Sequence, residues 1–135
     1  MEHIKITDLC VGDWVMYDLK PYIVQQIDGE SEHVVISGSE GVRDKHIDYI
    51  EPICIKPEML EKNGLKAYSD MHNSWKFDIS DNIRVWMFKD SYVWAFQVMS
   101  YGLGYNHCVA KVFIRHIHQL QNALRLAGID KEIEL

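Results

Sequence analysis

Cysteine is scarce in this chain and poorly placed for cross-linking. Cys10, Cys54 and Cys108 are odd in number, far apart and never in Cys-x-x-Cys spacing. That argues against a disulfide framework and for a reducing, cytoplasmic setting. Long apolar runs are missing as well. No stretch approaches the ~20 apolar residues that a membrane span needs, so no membrane partner is expected. The acid-bearing start Met1-Glu2-His3-Ile4-Lys5 lacks the pattern of a signal peptide. Repeats, low-complexity segments and flexible linkers are also absent. Acids disappear altogether between Asp90 and Asp130, an interval that holds Lys111, Arg115, Arg125, His107, His116 and His118.

What is there suits a folded chain. Of 135 residues, 47% are apolar, and the 4 Trp, 7 Tyr and 4 Phe suffice for a core, which rules out disorder over most of the length. The length fits one domain or two small subdomains. The net charge of −6 is uneven: residues 1–64 hold 6 Lys/Arg against 13 Asp/Glu, and residues 65–135 hold 8 against 7. The first part should repel phosphate, and the C-terminal segment should attract it weakly.

Turn signals divide the chain into short strands. Gly12-Asp13 breaks the backbone before a strand at 13–18, and Pro21 follows a tight turn into a strand at 22–28. Further strands are expected at 33–37, 42–46 and 53–55. Trp14 and Val24 lie on the two strands joined by the Pro21 turn and are expected in the core. Five short strands with such loops fit a small, strongly bent barrel of SH3-like kind over residues 1–55. Pro57 opens and Gly64 closes a two-turn helix. From Leu65 an antiparallel meander follows at 65–69, 75–79, 83–89, 92–99 and 107–113. Strands 83–89 and 92–99 are largely apolar on both faces, so each face requires a cover. Ile114, Ile117, Leu120, Leu124 and Ala127 form one stripe of an amphipathic helix over 114–127, and Lys131–Leu135 alternates like an edge strand. The expected fold is therefore α+β, an SH3-like N-terminal small β-barrel (1–55) followed by an antiparallel sheet packed with one C-terminal helix (56–135).

Three segments carry a resemblance: Leu9 to Val15 (Leu-x-Val-Gly-Asp-Trp-Val), Ile50 to Gly64 (Ile-Glu-Pro-Ile-x-Ile-x-Pro-Glu-x-Leu-Glu-Lys-x-Gly), and His118, Leu120, Gln121 and Asn122. Together they resemble a family of small uncharacterised proteins from phages and mobile elements of gut anaerobic bacteria. The resemblance implies an accessory gene of such an element and brings no activity or catalytic residue with it. Relatives tend to place aromatics after the Asn, where this chain reads Ala123-Leu124-Arg125-Leu126.

Candidate chemistry is thin. His107, His116, His118 and Cys108 resemble metal ligands, but on a helix residues 116 and 118 point about 200° apart, so no metal site is expected. Cys108 with a histidine and Asn122 would be a thiol set assembled only in space. Each cysteine has apolar neighbours, and burial as a small hydrophobe is the expectation. Asp78, Asp81 and Asp90 are explained by turns, and Gly102-Leu103-Gly104 lacks the third glycine of a dinucleotide loop. Trp75, Trp86, Trp94, Tyr92, Tyr101 and Tyr105 form core, a partner-binding face or a ligand pocket, and plain core is the commoner role of strand aromatics. The polar helix face, Arg115, His118, Gln119, Asn122 and Arg125, offers two cations with amide and imidazole groups suited to phosphate and base edges. These features lead to a non-enzymatic interaction protein without cofactor, acting on a protein partner or on itself. The alternative is a weak nucleic-acid-binding module using that helix face.

Overall fold

The computed structural model describes residues 3–68, 72–102 and 105–135. The architecture is α+β, with two antiparallel sheets and one C-terminal helix. The chain divides into two compact units, Met1–Cys54 with His116–Asn122, and Ile55–Arg115 with Ala123–Leu135.

In the first unit β1 (Trp14–Tyr17), β2 (Lys20–Asp28), β3 (His33–Gly38) and β4 (Gly41–His46) lie side by side in chain order. Gly12 takes a φ of 94° just before β1. There the fully buried Asp13 accepts a hydrogen bond from the Cys10 N–H through Oδ2 at 2.8 Å. The β1–β2 turn consists of Asp18 and Leu19 alone, with φ of 50° and 64°, the left-handed pair that matches strand twist in a two-residue hairpin. A bulge between Val24 and Gln26 interrupts the β2–β3 ladder. After β4 a 3-10 turn at Ile47–Tyr49 leads to Glu51, which exchanges two backbone hydrogen bonds with Met16, each 2.8 Å.

Period-two alternation sends Val15, Tyr22, Val24, Val34 and Ile36 into a core shared with Ile4, Leu9, Ile47 and Ile50. Val24 is buried as expected, but Trp14 is not. Val15 pairs with the inward Tyr22, so Trp14, paired with Ile23, falls on the opposite face and stays half-exposed. The strand expected at 53–55 is reduced to one bridge between Cys54 and His116.

The second unit begins with α1 (Pro57–Lys62), opened by a proline that needs no N–H partner and ended by Gly64 at a φ of 87°. A second sheet follows, with β5 (Lys66–Ala67), β6 (Ser74–Ser80), β7 (Ile83–Asp90), β8 (Val93–Gly102) and β9 (Tyr105–Ile114) in chain order. Trp75, Val85, Met87, Trp94, Phe96 and Val98 are buried on one face. Trp75 and Trp94 meet at 5.2 Å between ring centroids, and the Trp75 indole N–H donates to Glu61 of α1. The C-terminal residues belong to the same side, but as a strap and not as the expected edge strand. Ile133 is buried, and the Asn63 side chain both donates to the Glu134 carbonyl and accepts from its N–H, each at 2.7 Å.

The last helix, α2, covers Ile117–Leu126 and not 114–127, because β9 carries on to Ile114, paired with Trp94. The division between units falls inside α2. Gly128, at a φ of 73°, follows its end.

Candidate functional site

The ladder of the second sheet brings together residues that are distant in sequence. Lys66 pairs with Lys76, Lys76 with Trp86, Trp86 with Gln97, and Gln97 with Lys111. This makes one row across all five strands, four strand spacings or about 19 Å long. Beside it runs a second row, Ser74, Phe88, Ala95 and Phe113. On the other side lies a third, Asp78, Arg84, Met99 and Cys108. All of these side chains project from the face opposite Trp75, Met87 and Phe96. Of them only Ser74 and Trp86 are buried, and Phe113 is 65% exposed.

Trp86 anchors this open face. Its ring stacks on Phe88 at 5.4 Å and 14°, meets Tyr68 edge-on at 5.3 Å, and donates its indole N–H to the Tyr101 hydroxyl at 2.7 Å. Cations lie over the surrounding rings. Lys76 is 5.4 Å from the Tyr68 centroid, Lys111 is 5.3 Å from that of Phe113, and Arg84 is within 5.5 Å of both Trp86 and Tyr101. Carboxylates occupy the margins. Asp78 pairs with Arg84, whose hydrogen bond holds the Asp78 carboxyl below its ordinary value. Asp81 and Asp90 sit at strand ends. Lys66, Lys76 and Lys111 make no ion pair with any described residue. Lys66 directly opposite Lys76 is a like-charge pair, an arrangement that costs stability.

Of the helix face expected from the sequence, Gln119, Asn122 and Arg125 recur at three-residue steps along α2 and Arg115 precedes the helix, with both arginines exposed. Gln119 accepts from the His116 N–H at 3.1 Å, and Asn122 donates to the Asp8 carbonyl at 3.0 Å. His118 is not on the solvent side, being only 3% exposed. Its Nδ1 has no hydrogen-bond partner among the described residues. Burial first, and then the neighbouring His116, push its pKa down to about 4, against a small opposing pull from Asp8. Gln121, absent from that expected face, proves central to the first unit. Its Oε1 accepts from the Trp14 N–H at 2.8 Å and its Nε2 donates to the Gly12 carbonyl at 3.0 Å.

Two further expectations are corrected. The rings of His116 and His118 do not diverge but stack at 5.7 Å and 7°, because His116 precedes the helix in extended backbone bridged to Cys54. All three cysteines are exposed. Strand-like alternation explains Cys54, since Ile53 and Ile55 turn inward on either side of it. Among the aromatics, Trp75 and Trp94 are core, Trp86 and Tyr101 belong to the open face, and Tyr92 is 88% exposed. The Tyr105 side chain lies outside the described residues. No group of three or more His, Cys, Asp or Glu among the described residues is arranged to hold a metal ion. No described helix is long and apolar enough to cross a membrane. The chain matches no protein-family model, no curated protein and no solved structure.

Proposed function

We propose that this chain is a non-enzymatic binding module whose working surface is the open face of the second sheet, and that the partner is an anionic macromolecule. The observation that carries this reading is the Lys66–Lys76–Trp86–Gln97–Lys111 row. A half-exposed aromatic sheet face studded with lysines is unusual in a chain of net charge −6. Opposed lysines cost stability when the chain is alone, and an anion laid across them removes that cost. Two copies stacked through this face would bring like charges together, so an anionic partner is favoured over self-association there. The polar side chains of α2 support the reading indirectly: Gln121 and Asn122 are engaged with the backbone of Gly12, Trp14 and Asp8, and Gln119 with the His116 N–H.

For the first unit we infer the SH3-like wrap. The β2 bulge, the 3-10 turn after β4 and the return of Glu51 onto Met16 support it, since a fifth segment beside β1 is what brings a bent sheet round on itself. That unit would serve as the scaffold.

Chromatography on a sulfated polysaccharide tests the surface. A chain of net charge −6 with no local cationic face passes through at low salt. Retention of the wild type, abolished by Lys66→Glu with Lys111→Glu, is expected. Unretained wild-type protein overturns the proposal.

A further inference from the structure

We infer that the anion taken by the open face is single-stranded nucleic acid, a conclusion that rests on the binding surface proposed above. The lysines alone do not choose between a phosphate chain and an acidic peptide; the aromatic row beside them does. Phe88 and Phe113 are separated by Ala95, so the two rings are rooted two strand spacings or about 10 Å apart, with only a methyl group between them. Phe113 is 65% exposed at the β9 edge, and Phe88 is half-exposed with its ring stacked on Trp86. Such rings offer flat apolar surface to an unstacked base, and every base has a π face to return. An acidic peptide supplies charge for the lysines and nothing planar for the phenylalanines.

A duplex keeps its bases stacked inside, so it would leave the same rings facing water. A single strand satisfies both rows at once, with phosphates along Lys66, Lys76 and Lys111 and bases over Phe88 and Phe113. Gln97, between Trp86 and Lys111 in the lysine row, adds an amide able to donate and accept at a base edge. The about 19 Å of the row matches a few nucleotides, which sets the scale of the salt response. Three phosphates neutralised by three lysines release their counterions and give a log–log slope of about −2, from ~0.7 per phosphate on single strands. Such a slope describes a weak, sequence-tolerant contact.

Fluorescence anisotropy of labelled dT15 and rU15 with the full chain tests the inference, with a duplex of equal length and a polyglutamate peptide as competitors. Saturable binding with a salt slope of about −2 is expected. Phe113→Leu, which keeps apolar area and loses the π face, should weaken binding about tenfold with the slope unchanged. Lys66→Glu with Lys111→Glu should abolish it. Both sites are exposed, and unaltered near-ultraviolet circular dichroism of each variant checks the fold. A preference between dT15 and rU15 separates DNA from RNA as the source. Three results overturn the inference: full binding by Phe113→Leu, displacement by polyglutamate as effective as by unlabelled strand, or duplex bound as tightly as single strand. If neither oligomer binds a protein that is retained on the sulfated polysaccharide, the surface stands and nucleic acid is wrong. If the protein is not retained either, the surface itself falls.

Discussion

Mild acid should loosen the first unit through His118. In the folded chain this imidazole is buried, its Nδ1 has no hydrogen-bond partner among the described residues, and its pKa is pushed down to about 4 from an ordinary 6.5. Between those values the unfolded chain binds a proton that the folded chain does not. Stability is therefore complete above the ordinary value and is lost as pH falls toward the folded value. The loss amounts to about 2 kcal/mol by about pH 5 and about 3 kcal/mol by about pH 4. Asp28 and Asp78, whose folded pKa values lie below the ordinary 3.8, and Glu40, below the ordinary 4.5, weaken the fold only at lower pH, so the His118 window is separable. Urea midpoints should be measured for wild type and His118→Leu at about pH 7 and about pH 5. With a slope of ~1–3 kcal/mol/M the wild type should fall by about 1 M between the two. The variant should barely move. At neutral pH His118→Leu should be near neutral or slightly stabilising, because it removes a buried polar atom that has no partner among the described residues. Equal acid sensitivity in the two proteins would refute the assignment.

Two stability changes of opposite sign should accompany it. Gln121→Leu removes two hydrogen bonds, one accepted from the Trp14 N–H and one donated to the Gly12 carbonyl, at ~0.5–1.5 kcal/mol each, and should lower the urea midpoint by about 1 M. Leu19 holds a φ of 64° while 85% exposed, so Leu19→Gly relieves strain without losing contacts and should raise stability by about 1 kcal/mol; a lowered midpoint would count against the two-residue turn.

Much of the secondary structure was legible because turns punctuate it. Gly12-Asp13, Asp28-Gly29, Ser37-Gly38 and Ser80-Asp81-Asn82 mark strand ends with local chemistry, and the Pro57 and Gly64 signals bracket α1. Errors arose where a segment's state depends on partners far away. Ile114 fits the helical stripe as well as it fits a strand, and only its pairing with Trp94 decides. Lys131–Leu135 alternates like a strand, yet Asn63 holds Glu134 in a strap. A place on the strand joined by the Pro21 turn does not set parity: the sequence order Trp14-Val15 leaves open which side chain turns inward, and the pairing of Val15 with Tyr22 decides it. The double-sided apolarity of residues 83–99 called for a cover on each face, whereas Phe88, Ala95 and Gln97 on the Trp86 side stay half-exposed. The character of that side did not show, because Lys66, Lys76, Trp86, Gln97 and Lys111 become neighbours only through the register of four successive strand pairs. Gln121 looked like an ordinary helix residue, since its partners lie more than a hundred positions away.

The most direct measurement is nuclear magnetic resonance mapping of the full chain titrated with dT15, following backbone amides and the four tryptophan indole signals. Shifts should concentrate on Lys66, Lys76, Gln97, Lys111 and Phe113, and the Trp86 indole N–H, bonded to the Tyr101 hydroxyl at 2.7 Å, should move while those of Trp75 and Trp94 stay in place. Shifts confined to residues 115–125, or to the first sheet, would contradict the assignment of the open face as the working surface.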